Sequence, residues 1–88
     1  MPDSVVFPLY RKYPDGKTYF RIYSYAYFKE VKVMGGYYQL HHYQAKKLPD
    51  RNLIADMVEL KDGFWATTSK EEFDHFKRYC REQLKELR

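Results

Sequence analysis

The sequence predicts an α+β domain in which a mainly antiparallel sheet of four to five short strands carries two helices packed on one face. Two hairpin turns, Pro14-Asp15-Gly16 and Gly35-Gly36, and an amphipathic pattern over residues 69–88 are the observations behind this prediction. With 88 residues, 44% of them hydrophobic, the chain is long enough for one core and too short for two. We therefore expect a single domain over residues 1–88.

The first turn joins residues 5–13 to residues 17–23 as a hairpin. Its proline fixes the first turn position, its aspartate tolerates the second, and its glycine supplies the positive φ that a three-residue connection requires. Pro8 lies inside the first strand and has no N–H to donate to a neighbouring strand. The first strand is therefore expected at an edge of the sheet, or bulged at Pro8.

The second hairpin has a two-residue loop, whose length fixes the pairing of the strands on either side. Cross-strand neighbours share a face, and this register places two apolar pairs on one face and two polar pairs on the other. The pairs are Val33–Tyr38 and Val31–Leu40, then Lys32–Gln39 and Glu30–His41. The pattern predicts a sheet with a single buried face.

Residues 24–30, between the two hairpins, fit two interpretations. Their alternating pattern predicts a strand, whereas Ser24 with Phe28 four residues later also fits a capped helical turn. An echo later in the chain, where Ser69 is followed by Phe73 at the same spacing, favours the helical turn.

The second half of the chain predicts two helices and a short strand. Residues 50–58 begin with Asp50 as a candidate N-cap, and residues 64–68 are rich in strand-forming types. In the helix over residues 69–88, Ser69 and Glu72 have the spacing of a capping box. The apolar stripes that should meet the sheet are Leu53, Ile54, Met57 and Val58 in the first helix, and Phe73, Phe76, Cys80, Leu84 and Leu87 in the second.

Residue types that carry catalysis or metal binding do not occur at the required spacings. His41 and His42 are adjacent and would point to opposite faces of a strand, and no CxxC, HExxH, GxSxG or glycine-rich phosphate motif is present. Glu30 and His41 would suit acid–base chemistry, but an ordinary surface pair is the favoured interpretation. We expect no enzyme activity, no cofactor and no metal.

Cysteine content and hydropathy indicate the expected compartment. Cys80 has no partner for an intramolecular disulfide, which favours a reducing, cytoplasmic setting. No stretch approaches the roughly 18 apolar residues of a membrane span, and the first residues lack the basic and apolar regions of a secretory signal. A membrane is therefore not an expected partner.

Tyrosine and positive charge are concentrated in the first 48 residues. This part holds nine of the ten tyrosines and eight Lys or Arg against three Asp or Glu, whereas the remainder holds eight against nine. Alternate side chains of a strand share a face, so one surface would carry a stripe of Tyr19, Arg21, Tyr23, Tyr25 and Tyr27. If residues 24–30 are helical, the last two tyrosines leave that surface.

This aromatic and basic surface is the candidate binding site. We predict that it combines the stripe with cations of the adjoining strand and turn: Tyr19, Arg21, Tyr23, Tyr25, Tyr27, Arg11, Lys12 and Lys17. Aromatic residues and arginine are enriched at protein interfaces, which favours a protein partner or homodimerisation. The alternative is single-stranded nucleic acid, with bases stacked on tyrosines and phosphates bound by cations. The sequence thus predicts a non-enzymatic binding module.

Overall fold

Two tight turns and a third short connection build the centre of the sheet. The computed structural model describes residues 5–87, and within them the strands follow the order β5-β1-β2-β3-β4-β6, antiparallel except for the parallel β4–β6 pair. The elements are β1 (Leu9–Lys12), β2 (Thr18–Ser24), β3 (Tyr27–Met34), β4 (Tyr37–Gln44), α1 (Leu48–Glu59), β5 (Ala66–Thr67), α2 (Lys70–Gln83) and β6 (Lys85–Glu86). The predicted α+β class is confirmed.

Both predicted turns are present. Gly16 has a φ of +73°, and its N–H donates to the Tyr13 carbonyl over 2.9 Å. The Asp15 carboxylate accepts from the Lys17 N–H, also over 2.9 Å, which locks the turn. At the second hairpin Gly35 has a φ of +62°, and all four predicted cross-strand pairs occur, including the pair of Glu30 and His41.

Residues 24–30 continue the sheet, so of the two interpretations the strand is confirmed and the helical turn is wrong. The Ser24 hydroxyl does accept from a following backbone N–H, that of Ala26 over 3.0 Å. This bond stabilises a turn and not a helix, because the chain then reverses and β3 begins at Tyr27. The ladder between β2 and β3 supplies the backbone hydrogen bonds that a helix would have made. Its register shifts between Ile22 and Ser24, which marks a bulge at Tyr23.

The two helices lie on opposite faces of the sheet, rather than on one face as predicted. In β2, Tyr19 belongs to the apolar cluster under α2, whereas Phe20 belongs to the cluster under α1. Successive strand residues point to opposite faces, so the two clusters are separated by the sheet. The physical reason is that β2 carries large apolar side chains at consecutive positions, and covering one face would leave half of them in water.

Helix α1 differs in its N-terminus from the prediction. It begins at Leu48 with Pro49 in its first turn, so Asp50 is not the N-cap; instead the Asp50 carboxylate accepts from the Lys46 N–H over 3.4 Å. Of its predicted apolar stripe, Leu53 is 40% exposed and the rest is buried. The helix ends at Glu59, and its C-cap, Leu60, has a left-handed φ of 55°, which is unusual for a residue other than glycine.

Helix α2 begins as predicted and ends earlier. The Ser69 hydroxyl accepts from the Glu72 N–H over 3.1 Å, which confirms the cap. The helix stops at Gln83, and the following residues extend along β4, where the Leu87 N–H donates to the Tyr38 carbonyl over 2.7 Å. The last predicted helical turn therefore forms backbone hydrogen bonds with the open edge of β4 in place of helical ones. Arg88 lies outside the described residues.

The first strand is shorter than predicted and is not the sheet edge. It begins after Pro8, which explains why a proline is tolerated there. Arg11 and Lys12 pair with β5, the part of the predicted strand over residues 64–68 that forms ladder hydrogen bonds. The sheet therefore has a four-stranded centre, β1 to β4, with the two-residue strands β5 and β6 on its two sides.

The Glu72 carboxylate fastens α2 to the sheet. It accepts hydrogen bonds from Lys12 Nζ, from the Tyr19 hydroxyl and from the Thr68 hydroxyl, each over 2.7 Å. These donors lower the pKa of Glu72 from 4.5 to about 2. Burial and the same carboxylate raise the pKa of Tyr19 to about 12.

We expect acid to weaken the domain through Glu72. Its pKa is lower in the folded than in the unfolded chain, so its contribution to the free energy of unfolding is present above about pH 4.5 and disappears as the pH falls toward 2. Glu72→Gln should cost about 1 to 2 kcal/mol at neutral pH and flatten the dependence of stability on pH between 5 and 3, measured by urea unfolding. Glu71→Gln, at an exposed neighbour, is the control. Equal pH slopes for wild type and Glu72→Gln would contradict this role.

Two buried tyrosines under α2 offer a matched comparison. The Tyr19 hydroxyl binds Glu72, whereas the Tyr10 hydroxyl is buried and has no hydrogen-bond partner among the described residues. Tyr19→Phe should therefore lower the free energy of unfolding by about 1 to 2 kcal/mol, and Tyr10→Phe should leave it unchanged or raise it slightly. Chemical denaturation of both variants checks the prediction, and the reverse order of stability would contradict the packing described.

Candidate functional site

The sheet does not present the predicted eight-residue surface as one exposed stripe. Tyr19 is 6% exposed and stacks on Phe76 of α2, with ring centroids 4.1 Å apart. Lys12 is bound to Glu72 on the same face. The period of two did place Tyr19 with Arg21 and Tyr23, but α2 covers one end of the row. The correction has a simple cause, because an alternating aromatic row serves a buried interface as well as an open one.

Two further members of the predicted surface lie on the α1 face. Arg11 donates to the Met57 carbonyl from Nε over 3.0 Å and to the Val58 carbonyl from Nη2 over 2.9 Å, so its guanidinium satisfies the last turn of α1. Tyr25, in the turn after the bulge, packs edge-on against Phe7 at 5.3 Å and borders the α1 cluster. The exposed Lys17 lies beside the first turn, where its backbone N–H donates to the Asp15 carboxylate.

Arg21, Tyr23 and Tyr27 do stay together, on the α2 face near the turn between β2 and β3. Arg21 pairs with Lys29 of β3, and Lys29 pairs with His42 of β4, so three nitrogen-bearing side chains form one row across three strands. The Arg21 guanidinium lies over the Tyr23 ring, 4.9 Å from its centroid. This distance is within the range of a cation–π contact and orients both side chains.

The rings beside this row are nearly parallel. The Tyr23 and Tyr27 rings have centroids 5.1 Å apart and planes inclined by 24°. The Tyr27 and His42 rings are 6.0 Å apart and inclined by 11°, and the Tyr27 hydroxyl is hydrogen-bonded to Nδ1 of His42. Tyr23 and Tyr27 are half-buried and His42 is exposed, so the array runs from the sheet interior to its β4 side.

Helix α2 adds two cations to the same corner. Lys77, which follows the Phe76 ring stacked on Tyr19, acts on the Lys29 ammonium, and Arg81, one helical turn later, also acts on it. Burial and the surrounding cations Lys77, Arg21 and Arg81 lower the pKa of Lys29 to about 8. The charged groups that act most strongly on this lysine are therefore all of its own sign.

An acidic group beside these cations, Asp74, is engaged in another ion pair. Asp74, one turn before Lys77 and Arg78, forms an ion pair with Lys70 over 2.7 Å. That pair lowers the pKa of Asp74, with smaller effects from Arg21 and Lys77. Asp74 thus offsets part of the local positive charge without hydrogen bonding to either member of the lysine pair among the contacts described.

We name this corner the basic–aromatic patch. It comprises Arg21, Tyr23, Tyr27, Lys29 and His42 on the sheet, with Lys77 and Arg81 on α2. Sequence reasoning identified the first three and missed the others. The register of the Gly35-Gly36 hairpin pairs His42 with Lys29, so this pair could have been predicted from the sequence. The position of Lys77 could not, because it depends on how α2 crosses the sheet.

The other candidates for chemistry are ordinary in their surroundings. Glu30 and His41 are paired on the α1 face beside the polar pair of Lys32 and Gln39, and His41 is exposed. Cys80 is buried on the face of α2 that packs against the sheet, and burial raises the pKa of its thiol, which disfavours nucleophilic chemistry. Over residues 5–87, no three His, Cys, Asp or Glu side chains are grouped so that they could hold a metal ion.

Neither helix of the described part of the chain has the length and apolar character needed to cross a membrane. Comparison with protein-family models, with curated proteins and with solved structures finds no match to this chain.

Proposed function

We propose that the protein binds single-stranded nucleic acid at the basic–aromatic patch. The observation that carries this proposal is the joint placement of four cations and three nearly parallel rings on one corner of one sheet face. Cations neutralise backbone phosphates, and aromatic rings provide surfaces on which bases stack. The two kinds of contact are adjacent, as they must be to reach neighbouring parts of one nucleotide.

Single strands suit the patch better than a duplex does. Stacking on a protein ring requires a base whose face is free, and duplex bases are stacked on one another. The rings of Tyr23, Tyr27 and His42 are spaced by 5.1 and 6.0 Å, so an incoming base can extend an array that is already parallel. Holding the rings by mutual contact and by the Arg21 guanidinium reduces the conformational entropy lost on binding.

Burial of three tyrosines narrows the choice of surface on the α2 face. Tyr10, Tyr19 and Tyr38 are 8%, 6% and 4% exposed, so they contribute to the core under α2. The half-exposed rings that remain on this face are the ones beside the cations. A protein interface centred on a broad tyrosine surface therefore has less support than a smaller, cationic ligand site.

We expect labelled single-stranded oligonucleotides of about 12 nucleotides to bind with micromolar affinity at low salt, measured by fluorescence anisotropy. With three to four phosphates neutralised, the slope of log K against log salt should be about −2 to −3. Tyr27→Ala should weaken binding by about 1 to 3 kcal/mol. Lys77→Met should weaken binding to all sequences alike and reduce the salt slope by about 0.7.

Matched controls on the opposite face are Tyr37→Ala and Lys32→Met, both at exposed positions of the same hairpin. These variants should bind like the wild type. Absence of binding at about 50 μM protein in low salt, or equal losses in the control variants, would remove nucleic acid as the ligand.

A second candidate function, self-association, is favoured by the edge of β4. Strand β6 covers β4 only at Tyr37 and Tyr38, so within residues 5–87 no strand pairs with the outer side of the remainder. The Tyr38 carbonyl points away from β3, toward β6. Because backbone groups point the same way at alternate residues of a strand, the N–H and C=O groups of Leu40, His42 and Gln44 also point away from β3. No Lys, Arg, Asp or Glu occurs in β4, although edge strands are commonly protected by charge. Two copies could therefore pair along β4 about a two-fold axis.

Gln44→Pro tests this second candidate, because it removes one outward N–H and leaves the ladder with β3 intact. Sedimentation equilibrium should show a wild-type dimer that persists at high salt and a Gln44→Pro monomer. Gln44→Ala keeps the N–H and should remain dimeric. A wild-type monomer at about 1 mM would exclude pairing along this edge.

A further inference from the structure

Lys29 of β3 and Lys77 of α2 are neighbouring like charges on the α2 face. Phe76, the residue before Lys77, stacks on Tyr19, and Tyr19 pairs with Val31, two residues from Lys29, so α2 brings Lys77 toward Lys29. Of the charged groups, Lys77 acts most strongly on Lys29, and each ammonium can only donate hydrogen bonds. Both side chains are half-buried, so water screens their repulsion less than it would at an exposed site. Two positively charged hydrogen-bond donors side by side form a site that an anionic acceptor would complete.

The surroundings enlarge the positive charge of this pair. Arg21 flanks Lys29 on β2, and Arg81 follows Lys77 on α2, while His42 pairs with Lys29 from β4. Asp74 is an acidic group on which Arg21 and Lys77 act, and its carboxylate is ion-paired with Lys70. Every element that packs around Lys29 thus presents a basic side chain to it.

The Nε atom of Arg21 adds a second, independent observation. It is buried and has no hydrogen-bond partner among the described residues. The guanidinium is held over the Tyr10 and Tyr23 rings, with its centre 5.7 and 4.9 Å from their centroids. The rings fix the position of this cation, which keeps its positive charge at the corner where Lys29 lies.

We infer that Lys29 and Lys77 form a two-lysine fork that holds one phosphate group between β3 and α2, with Arg21 and Arg81 as flanking donors. A phosphate oxyanion accepts several hydrogen bonds at once, and its charge converts the repulsion between the lysines into attraction to a shared partner. This inference rests on the proposed function, in which the group is a phosphodiester of the bound strand. Free inorganic phosphate has the same chemistry, and the experiment separates the two sources.

The first measurement needs no ligand. In chloride buffer at pH 7, Lys29→Met and Lys77→Met should each raise the melting temperature relative to the wild type, because each removes one member of a repelling pair. Lys32→Met, on the opposite face of β3, should not. The lysine repulsion is present below about pH 8, where Lys29 is charged, and is relieved as the pH rises above 8. The melting temperature of Lys29→Met should therefore rise less than that of the wild type between pH 8 and pH 10.

The second measurement adds inorganic phosphate at constant ionic strength. The wild type and Lys32→Met should gain at least about 2 °C, and the two fork variants should gain clearly less. Phosphate also stabilises proteins generally by exclusion from their surfaces, so an equal gain in all four proteins would overturn the fork.

The third measurement compares an ordinary 12-nucleotide strand with one of the same sequence carrying uncharged methylphosphonate linkages. Lys29→Met and Lys77→Met should reduce affinity for the ordinary strand by about 5- to 20-fold and leave affinity for the uncharged strand unchanged. If phosphate stabilises in a lysine-dependent manner but neither strand binds, the fork holds free phosphate and the proposed function fails. If the ordinary strand binds equally well to wild type and fork variants, nucleic-acid binding survives and the fork is wrong.

Discussion

Burial of β2 on both faces is the constraint on which the rest of the structure depends. Tyr19 packs under α2 and Phe20 under α1, so each helix is needed to keep one half of the strand from water. The Glu72 carboxylate then fixes α2 in place through bonds to Lys12 and Tyr19. With both faces partly covered by helices, the sheet remains open at its corners and edges.

The basic–aromatic patch is one such corner, and it carries a cost that the core does not need. Lys29 is half-buried beside Arg21, and Lys77 and Arg81 of α2 add to the positive charge that acts on it. Interactions that oppose folding are concentrated at functional sites because binding compensates for them. A cluster of positive charge that Asp74 offsets only in part, beside rings held nearly parallel, therefore argues more strongly for a ligand than the number of basic residues does.

Local signals in the sequence predicted local structure well. The turns, the register of the second hairpin and the Ser69 cap each depend on residues that are close in the chain, and all three occur. The side of the sheet taken by α1 could not be predicted, because its apolar stripe fits either face. For the site, the alternation of Arg21 and Tyr23 was informative, but the same alternation placed Tyr19 in the core. The contribution of Lys77 depends on a crossing between distant segments that no short pattern encodes.

The most direct test of this account is an NMR titration of the isotopically labelled protein with a single-stranded oligonucleotide. We predict that the largest amide shift changes occur at Arg21, Lys29 and His42, which form one row on the α2 face, with Lys77 following on the helix. Changes centred instead on Glu30, Lys32 and His41, on the opposite face of the same hairpin, would contradict the central claim. So would a spectrum that does not respond to the oligonucleotide at low salt.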